Sequence, residues 1–314
     1  MDILFVASAD YDQGSGHVVR CIRYAEILIR WGHSVSIAGP IDIPWVLALA
    51  QQNPALVYPA SQTHFDLIIL DSYDEEYLLL NLEKYVASCV IQICDSNTPA
   101  LDVTSYVWLD TSDVDESRLR SCGVPLVSGL EYMGSVAFRA EELTTGLAKS
   151  VLVTLGGAPS LEVLQALSDV VLADKYSNID FHFLSDTTFD SFSQNFFFYP
   201  IGSDLQALVE RCDTVISNAG TTLWDVLTSH RPTGALCLVE NQVPNYKFAL
   251  ENQLVVGLGR GWGKSWDPDA LDTLFFDSNM RRVITSNAAK LIDGKSQLRL
   301  LRAIEAFALA ETNN

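Results

Sequence analysis

Apolar residues along the chain come in two spacings that alternate from one end to the other. Residues 3–7 and 65–70 are mostly apolar at consecutive positions, which is typical of strands buried on both faces of a parallel sheet. Residues 18–31 instead carry apolar side chains at every third or fourth position, which indicates an amphipathic helix. The alternation predicts parallel sheets covered by helices.

This alternation runs through two successive groups of elements. The first group contains predicted strands at residues 3–7, 34–38, 65–70, 90–94 and 106–109, with helices at 18–31, 44–52 and 75–85. The second contains predicted strands at 150–155, 179–184, 214–217 and 235–239, with helices at 161–171, 205–210, 222–228 and 246–253. We therefore predict an α/β fold of two Rossmann-like, doubly wound parallel-sheet domains that face a central cleft.

The predicted domains span residues 1–140 and 150–297, and a C-terminal helical segment follows at 298–314. Residues 139–149, which are largely polar and lack a strand pattern, form the predicted linker. Ligands of doubly wound sheets bind beyond the carboxyl ends of the strands. The loops that follow strands are therefore where we expect chemistry.

The charge of the chain narrows the classes of ligand. Lys and Arg number 20 and Asp and Glu number 39, which gives a net charge of −19. Nucleic acids and anionic lipid surfaces normally require clustered cations, so neither is a predicted partner. A small anionic ligand is still compatible with this negative charge, because backbone N–H groups at the start of a helix can bind a phosphate without any positively charged side chain.

Other features of composition favour a soluble protein of the cytoplasm. The first residues lack the basic region of a secretory signal, and no apolar run approaches the ~18 residues of a membrane span. None of the six cysteines lies in a C-x-x-C pair, so buried reduced thiols are expected. Asp113-Val114-Asp115 is predicted to be a solvated acidic loop, and we expect no metal and no cofactor.

The first candidate site is the glycine-containing turn between the first predicted strand and helix. It is not a dinucleotide-binding fingerprint, because Val19 stands where the third glycine would be. The turn of Gly14 and Gly16 delivers His17 to a helix N-terminus, a position that suits a general base. A tight turn capped by His17 explains the same residues equally well. Arg20, one turn later, is expected to meet either a phosphate or a surface carboxylate.

Two further glycine turns open helices in the second group. Gly156 and Gly157 follow one strand, where their backbone N–H groups can approach a pyrophosphate closely. The other turn supplies Asn218, Gly220, Thr221, Thr222 and Asp225. The hydroxyl and N–H groups of Thr221 and Thr222 could bind a diphosphate, or one of these threonines could be the N-cap of the helix. Asp225 could accept hydrogen bonds from ribose hydroxyls, or it could only interact with the helix dipole.

Polar residues also follow other predicted strands. Asp71 is interpreted as a sugar contact or a helix N-cap, and Tyr73 lies two residues beyond it. Asp95 follows the next strand and has the same two interpretations. Asn241 and Gln242 follow the last strand of the second group. Each of these motifs is common in α/β proteins, but their order along the chain is distinctive.

Together these motifs resemble those of nucleotide-sugar enzymes with the GT-B fold. More specifically, the chain is similar to the hydrolases of pseudaminic-acid biosynthesis (the PseG type), which release UDP from a 2,4-diacetamido-2,4,6-trideoxy sugar. The pieces that carry the resemblance occur in the family's order: Gly14-Ser15-Gly16-His17-Val18-Val19-Arg20-Cys21, Asp71-Ser72-Tyr73, Thr154-Leu155-Gly156-Gly157, Ala219-Gly220-Thr221-Thr222-Leu223-Trp224-Asp225 and Glu240-Asn241-Gln242.

The resemblance implies roles for these residues. His17 would be the base that activates water for inverting attack at the anomeric carbon, and the glycine and threonine turns would cradle the nucleotide diphosphate. Asp225 stands where the family usually has a Glu that grips the ribose, and residues 131–139 are a looser version of a Tyr-Ala-Leu-Leu-Arg-like run. The residues predicted to bind the substrate beside His17 are Gly14, Gly16, Arg20, Asp71, Tyr73, Gly156, Gly157, Asn218, Gly220, Thr221, Thr222, Asp225, Asn241 and Gln242.

Three functions are compatible with this site. The leading prediction is metal-independent hydrolysis of a UDP-sugar, with a small nucleotide-sugar as the only predicted partner. Glycosyl transfer to a small acceptor, from the same donor site, is the alternative. Nucleotide-sugar binding without catalysis is the third. The number of chains that assemble is left open.

Overall fold

The computed structural model describes residues 1–10, 14–111, 113–138, 146–156, 161–186, 193–260 and 266–312. The chain folds into two compact units. The first comprises Met1–Gly134 and Ser296–Asn314, and the second comprises Ser135–Lys295. The C-terminal segment groups with the first unit, an association that the sequence pattern did not predict. Residues 139–145 of the predicted linker lie outside the described part of the chain.

The elements follow one another as strand and helix in both units. The strands are β1 (Asp2–Ala7), β2 (Ser34–Ala38), β3 (Leu56–Val57), β4 (His64–Asp71), β5 (Val86–Cys94), β6 (Ser105–Trp108), β7 (Leu126–Val127), β8 (Ser150–Thr154), β9 (Asp180–Leu184), β10 (Phe196–Tyr199), β11 (Thr214–Asn218), β12 (Thr233–Cys237) and β13 (Val256–Arg260). The helices are α1 (Gly16–Arg30), α2 (Pro44–Gln52), α3 (Glu75–Lys84), α4 (Asp113–Arg120), α5 (Leu161–Val171), α6 (Leu205–Arg211), α7 (Thr221–Leu227), α8 (Val243–Glu251), α9 (Pro268–Phe276), α10 (Ser278–Leu291) and α11 (Ser296–Thr312).

Each unit contains one parallel sheet with a reversal in its strand order. In the first unit, the described strands are ordered β3-β2-β1-β4-β5-β6-β7, and every neighbouring pair is parallel. In the second they are ordered β10-β9-β8-β11-β12-β13, again all parallel. The order reverses between β1 and β4 and between β8 and β11, which is where doubly wound sheets bind ligands.

The apolar runs are continuous because both faces of each sheet are covered. Successive side chains of a strand point to opposite faces. Ile3 and Phe5 of β1 accordingly pack in one apolar cluster with α1, α2 and α11, whereas Leu4 and Val6 pack in another with α3 and α4. In the second unit, Val151 and Val153 of β8 pack with α5, α9 and α10.

One local prediction is wrong. Residues 113–115, predicted to be a loop, form the first residues of α4. The run is polar overall, so it has no apolar period for a sequence analysis to detect. Leu119, which is fully buried, attaches this helix to the sheet, and tertiary packing of this kind overrides a weak local pattern.

Candidate active site

The turn between β1 and α1 places His17 in the first turn of the helix. Gly14 has a φ of +86°, a left-handed conformation that favours glycine. Its N–H donates to the carbonyl oxygen of Asp10 at 2.9 Å, which closes the turn. Gly16 is the first residue of α1, and His17, at 6% exposed, follows it.

Asp71 ends β4, the strand beside β1, and this adjacency brings it to His17. The Asp71 Oδ1 atom lies 2.7 Å from His17 Nδ1. Arg20 donates from Nε to Oδ2 at 2.8 Å and from Nη2 to Oδ1 at 2.6 Å. The carboxylate is 1% exposed, so these partners, rather than water, satisfy it. Arg20 therefore meets a buried carboxylate rather than a surface one.

The charges around Asp71 determine its protonation. Burial raises the pKa of Asp71, but the charge of Arg20 and the contacts with His17 outweigh burial and hold the pKa well below its usual value. Burial likewise lowers the pKa of Arg20, yet the carboxylate of Asp71 raises it above the usual value. Asp71 and Arg20 are therefore both ionised at neutral pH.

An ionised Asp71 fixes which nitrogen of His17 carries the proton. Nδ1 lies 2.7 Å from Asp71 Oδ1, which can only accept, and 3.2 Å from Arg20 Nη2, which can only donate. We assign the hydrogen to Nδ1 because the shorter contact is the one with the carboxylate. The neutral imidazole then has its lone pair on Nε2, which has no hydrogen-bond partner among the described residues. A carboxylate that orients an imidazole in this way is the arrangement of a general base and its orienting group.

Tyr73 packs against His17 from the loop after β4. The two rings meet edge to face, with centroids 4.5 Å apart and planes at 86°. The Tyr73 hydroxyl donates to Oδ2 of Asp95, which follows β5, at 2.5 Å. The structure thus brings together Asp71, Tyr73 and Asp95, which the sequence identified only as separate residues at strand ends.

Asn218 and three other predicted residues of the second unit, Gly156, Gly220 and Gln242, lie close together. Asn218 ends β11, and a Cβ atom added to Gly156 or to Gly220 would lie 3.2 Å or 3.4 Å from its Nδ2 atom. A Cβ on Gly220 would also lie 3.7 Å from Nε2 of Gln242. Because β8 and β12 flank β11, their following loops meet at the end of that strand. Gly157 lies outside the described residues.

The amide groups at this edge differ in how firmly they are held. Gln242 is fixed, since its Oε1 accepts the Leu238 N–H at 2.8 Å. Asn218 is 9% exposed, and its Oδ1 has no hydrogen-bond partner among the described residues. Asn241 is half-buried in the short 3-10 turn Glu240–Gln242.

The start of α7 presents backbone donors. Gly220 is its N-cap residue and has no side chain with which to cap the helix. Thr221, which is exposed, and Thr222, which is half-buried, are the first two helical residues. N–H groups at such a terminus point away from the helix and are suited to an anion.

Asp225 is engaged within its own unit. Its Oδ1 accepts the backbone N–H of Val136 at 2.7 Å, and the residue is 5% exposed. Thr228, one turn later, accepts the N–H of Phe138 at 2.8 Å. The carboxylate that the sequence assigned to a ribose therefore already holds the segment that opens the second unit.

Sequence reasoning missed the partnership of His17, Arg20 and Asp71. It placed the carboxylate at the correct strand end, but as a sugar contact or N-cap. The one available signal was that β1 and β4 are both continuous apolar runs followed by polar residues. That signal does not reveal that these two strands are neighbours.

Within the described residues, no helix is long and apolar enough to cross a membrane. No group of three or more His, Cys, Asp or Glu side chains there is arranged to hold a metal ion. All six cysteines are free, and Cys122 is the exposed one. The expected absence of a metal cofactor stays a prediction.

No protein-family model matches the chain. Among curated proteins, it is similar to the pseudaminic acid cytidylyltransferase and UDP-2,4-diacetamido-2,4,6-trideoxy-β-L-altropyranose hydrolase of Helicobacter pylori (strain ATCC 700392 / 26695), at 24% identity over 255 residues. The match covers 77% of this chain and 46% of that protein, so the chain spans about half the length of this curated relative. The resemblance predicted from the motifs is confirmed.

Solved structures share the fold over almost the whole chain. They include the glycotransferase of kitacinnamycin (TM-score 0.62, 15% identity), the calicheamicin glycosyltransferase CalG4 (0.58, 12%) and Arabidopsis thaliana UGT89C1 complexed with UDP (0.64, 11%). These similarities cover 99%, 98% and 96% of this chain and 97%, 98% and 99% of the other chains, in the same order. The predicted GT-B fold is confirmed, and a fold by itself assigns no activity.

Proposed function

We propose that this chain is a nucleotide-sugar hydrolase, which cleaves the anomeric C–O bond of a UDP-linked diacetamido-trideoxy sugar and releases UDP and the free sugar. The observation that carries the proposal is the 2.7 Å contact between Asp71 Oδ1 and His17 Nδ1, which leaves Nε2 as a proton acceptor. The name of the Helicobacter pylori relative includes hydrolysis of such a UDP-sugar and supports this substrate class.

His17 acts as the general base. As the oxygen of a water molecule forms a bond to the anomeric carbon, Nε2 takes one of its protons. The bond from that carbon to the diphosphate oxygen breaks with its electron pair, and UDP leaves. The imidazolium that forms is stabilised by the Asp71 carboxylate at Nδ1. A single displacement of this kind inverts the configuration at the anomeric carbon.

The proposal assigns the diphosphate to the second unit. Backbone N–H groups of Thr221 and Thr222 at the start of α7 stabilise the charge that develops on the leaving oxygen. Gly156 and Gly220 lack side chains and so permit close approach, and Nδ2 of Asn218 lies beside both. No step in this scheme requires a metal ion. The sugar contacts of Gly14, Gly16, Arg20, Tyr73, Asn241 and Gln242, and the contribution of Gly157, stay predictions.

The direct test is release of UDP from UDP-2,4-diacetamido-2,4,6-trideoxy-β-L-altropyranose in the absence of any acceptor. His17→Asn is expected to lower kcat by roughly 10²–10⁴-fold, the usual contribution of a general base, while UDP binding persists. His64→Asn is the matched control, because His64 is an exposed imidazole at the start of β4 in the same unit. Equal turnover by His17→Asn and the unmodified chain would refute the mechanism.

Glycosyl transfer to a small acceptor is the second candidate function. It is favoured by the solved structures with this fold whose names are those of glycosyltransferases. The two activities differ in what attacks the anomeric carbon. Hydrolysis in water enriched in ¹⁸O labels the released sugar, whereas transfer leaves UDP release dependent on an added acceptor. UDP binding without consumption of any UDP-sugar would support the third candidate, a binding protein.

A further inference from the structure

A series of hydrogen bonds that has no part in the mechanism above runs from Asp110 to Tyr73, the ring that packs against His17. Asp110 lies just beyond β6 and is 4% exposed. Its Oδ2 accepts the backbone N–H of Ser96 at 3.1 Å and also the Ser96 hydroxyl. These bonds fix the turn after β5 to the end of β6, and Asp95 is the first residue of that turn.

Asp95 uses its two carboxylate oxygens for different purposes. Its Oδ1 accepts the N–H of Asn97 at 2.9 Å and the hydroxyl of Thr98 at 3.1 Å, which holds the turn. Its Oδ2 accepts the hydroxyl of Tyr73 at 2.5 Å. A carboxylate can serve all three donors because both of its oxygens are acceptors.

We propose that Asp95 is a positioning residue for His17, which acts by holding the Tyr73 ring edge to face against the imidazole. This inference rests on the proposed function, since it gives the imidazole of His17 the catalytic role. Asp95 fixes the far end of Tyr73, and Tyr73 fixes the plane of His17.

The physical reason is that Asp71 alone does not fix the imidazole. A hydrogen bond at Nδ1 sets the tautomer and the distance, but the ring can still tilt about that contact. The Tyr73 ring, at a centroid distance of 4.5 Å, restricts this tilt. A tyrosine held only by its own rotamer preference would restrict it less than one whose hydroxyl is bound to a carboxylate anchored in a turn. The direction of the Nε2 lone pair therefore depends on Asp95.

The test uses Asp95→Asn and Tyr73→Phe, singly and together. The amide introduced by Asp95→Asn keeps one acceptor oxygen instead of two, so the turn and the tyrosine hydroxyl cannot both be served as before. Tyr73→Phe removes the hydroxyl but keeps the ring. Each single variant is expected to lower kcat for hydrolysis of UDP-2,4-diacetamido-2,4,6-trideoxy-β-L-altropyranose by roughly 10- to 100-fold, with KM changed little, because misplacement of a reacting group acts mainly on kcat.

The double variant distinguishes positioning from an independent contact. If Asp95 acts through the Tyr73 hydroxyl, the double variant loses no more activity than the worse single variant. Multiplied losses would overturn the inference, as would an Asp95→Asn variant with unchanged kcat. Asp102→Asn, at an exposed aspartate of the same unit, and Tyr58→Phe, which removes a hydroxyl bound to the Gly39 carbonyl, are the matched controls and are expected to keep their activity.

A spectroscopic measurement keeps the test independent of turnover. The carbon-bound protons of the His17 ring, assigned by comparison with His17→Asn, carry a ring-current shift from Tyr73. Asp95→Asn is expected to move these resonances toward their positions in Tyr73→Ala, and unmoved resonances would overturn the inference even if a variant were inactive. If His17→Asn turns over normally, the proposed function fails; if only the Asp95 variants behave normally, this inference alone fails.

Discussion

Asp71 is the residue on which the proposed chemistry of the first unit depends. It is 1% exposed and accepts hydrogen bonds from His17 and from two nitrogens of Arg20. Burial of a carboxylate is unfavourable unless cations and donors compensate it. Here Arg20 provides that compensation, so Asp71 stays ionised although it is buried. In the proposed mechanism, the ionised carboxylate orients the imidazole of His17.

Replacement of this carboxylate is expected to destabilise the protein in a pH-dependent way. Asp71→Asn leaves Arg20 without its counter-ion, which costs about 3–5 kcal/mol at pH 7. The native pKa of Asp71 is held below its unfolded value of about 3.9, so the unfolded state binds the proton first as the pH falls. The stabilisation is therefore complete above about pH 4–5 and declines below it.

Urea unfolding of Asp71→Asn and the unmodified chain at several pH values checks this expectation. The difference in unfolding free energy should be largest near neutral pH and should narrow as the pH falls below about 4. A difference that stays constant across this range would mean that the native pKa of Asp71 is not depressed. Asp102→Asn, at an exposed position, is the control and should show no such trend.

The glycines of the second unit are expected to matter for binding more than for folding. Gly220 has no left-handed φ, so Gly220→Ala should fold. Its methyl group would lie 3.4 Å from Asn218 Nδ2, beside the N–H groups that we assign to the diphosphate. This contact is an ordinary van der Waals distance within the protein, but the methyl group would occupy space proposed for the diphosphate and should weaken UDP binding by roughly 10-fold.

Calorimetric titration with UDP measures this effect. Gly146→Ala provides the control, because a Cβ atom added at Gly146 has nothing within 4 Å among the described atoms. The two variants should have similar melting temperatures and different affinities for UDP. If Gly220→Ala binds UDP as tightly as Gly146→Ala does, the diphosphate does not lie against Gly220.

Among the elements, α7 combines a proposed role in binding with a structural role that its hydrogen bonds show. Its first residues face the proposed diphosphate position, whereas Asp225 and Thr228 hold the backbone of Val136 and Phe138. Phe138 is 6% exposed and packs in the apolar cluster between β8, α6 and α7. The helix thus links the proposed diphosphate site to the segment that opens the unit.

The hydrogen bond from the Phe138 N–H to Thr228 predicts that Thr228→Val destabilises the protein, because valine has the shape of threonine but lacks its hydroxyl. The buried N–H of Phe138 would lose its acceptor, and an unsatisfied buried donor costs about 1–3 kcal/mol. Thr273→Val is the control, because the hydroxyl of Thr273 only donates to a carbonyl of its own helix. Urea unfolding should separate the two variants, and equal stabilities would contradict the role of Thr228.

The whole molecule carries a net charge of −19, which opposes its own folding through repulsion between like charges. Added salt screens this repulsion. We expect the melting temperature at pH 7 to rise by about 2–4 °C when NaCl is raised from about 20 to 300 mM. The same series near the sequence pI of about 4.5, where the net charge is close to zero, is the control and should show a smaller change. A melting temperature that falls with salt at pH 7 would instead indicate net attractive charge pairs.

The sequence was sufficient for most elements of both sheets. Strands such as β2 and helices such as α2 and α5 have the bounds that their patterns predict, because a buried strand and an amphipathic helix each impose a spacing on apolar residues. It was not sufficient for β3 and β7, which have two residues each, or for α10, whose residues are largely polar. Short or polar elements leave too few periodic positions to detect.

The same division holds for the candidate site. The pattern of apolar and polar residues was enough to predict the fold class, a glycine turn at Gly14, His17 at the start of a helix, and Asp71 and Asn218 at the carboxyl ends of strands. The contact between Asp71 and His17, and the position of Asn218 beside Gly156 and Gly220, are visible only in the three-dimensional structure. The reason is that local spacing encodes secondary structure, whereas the order of strands in a sheet is set by packing between segments far apart in the chain.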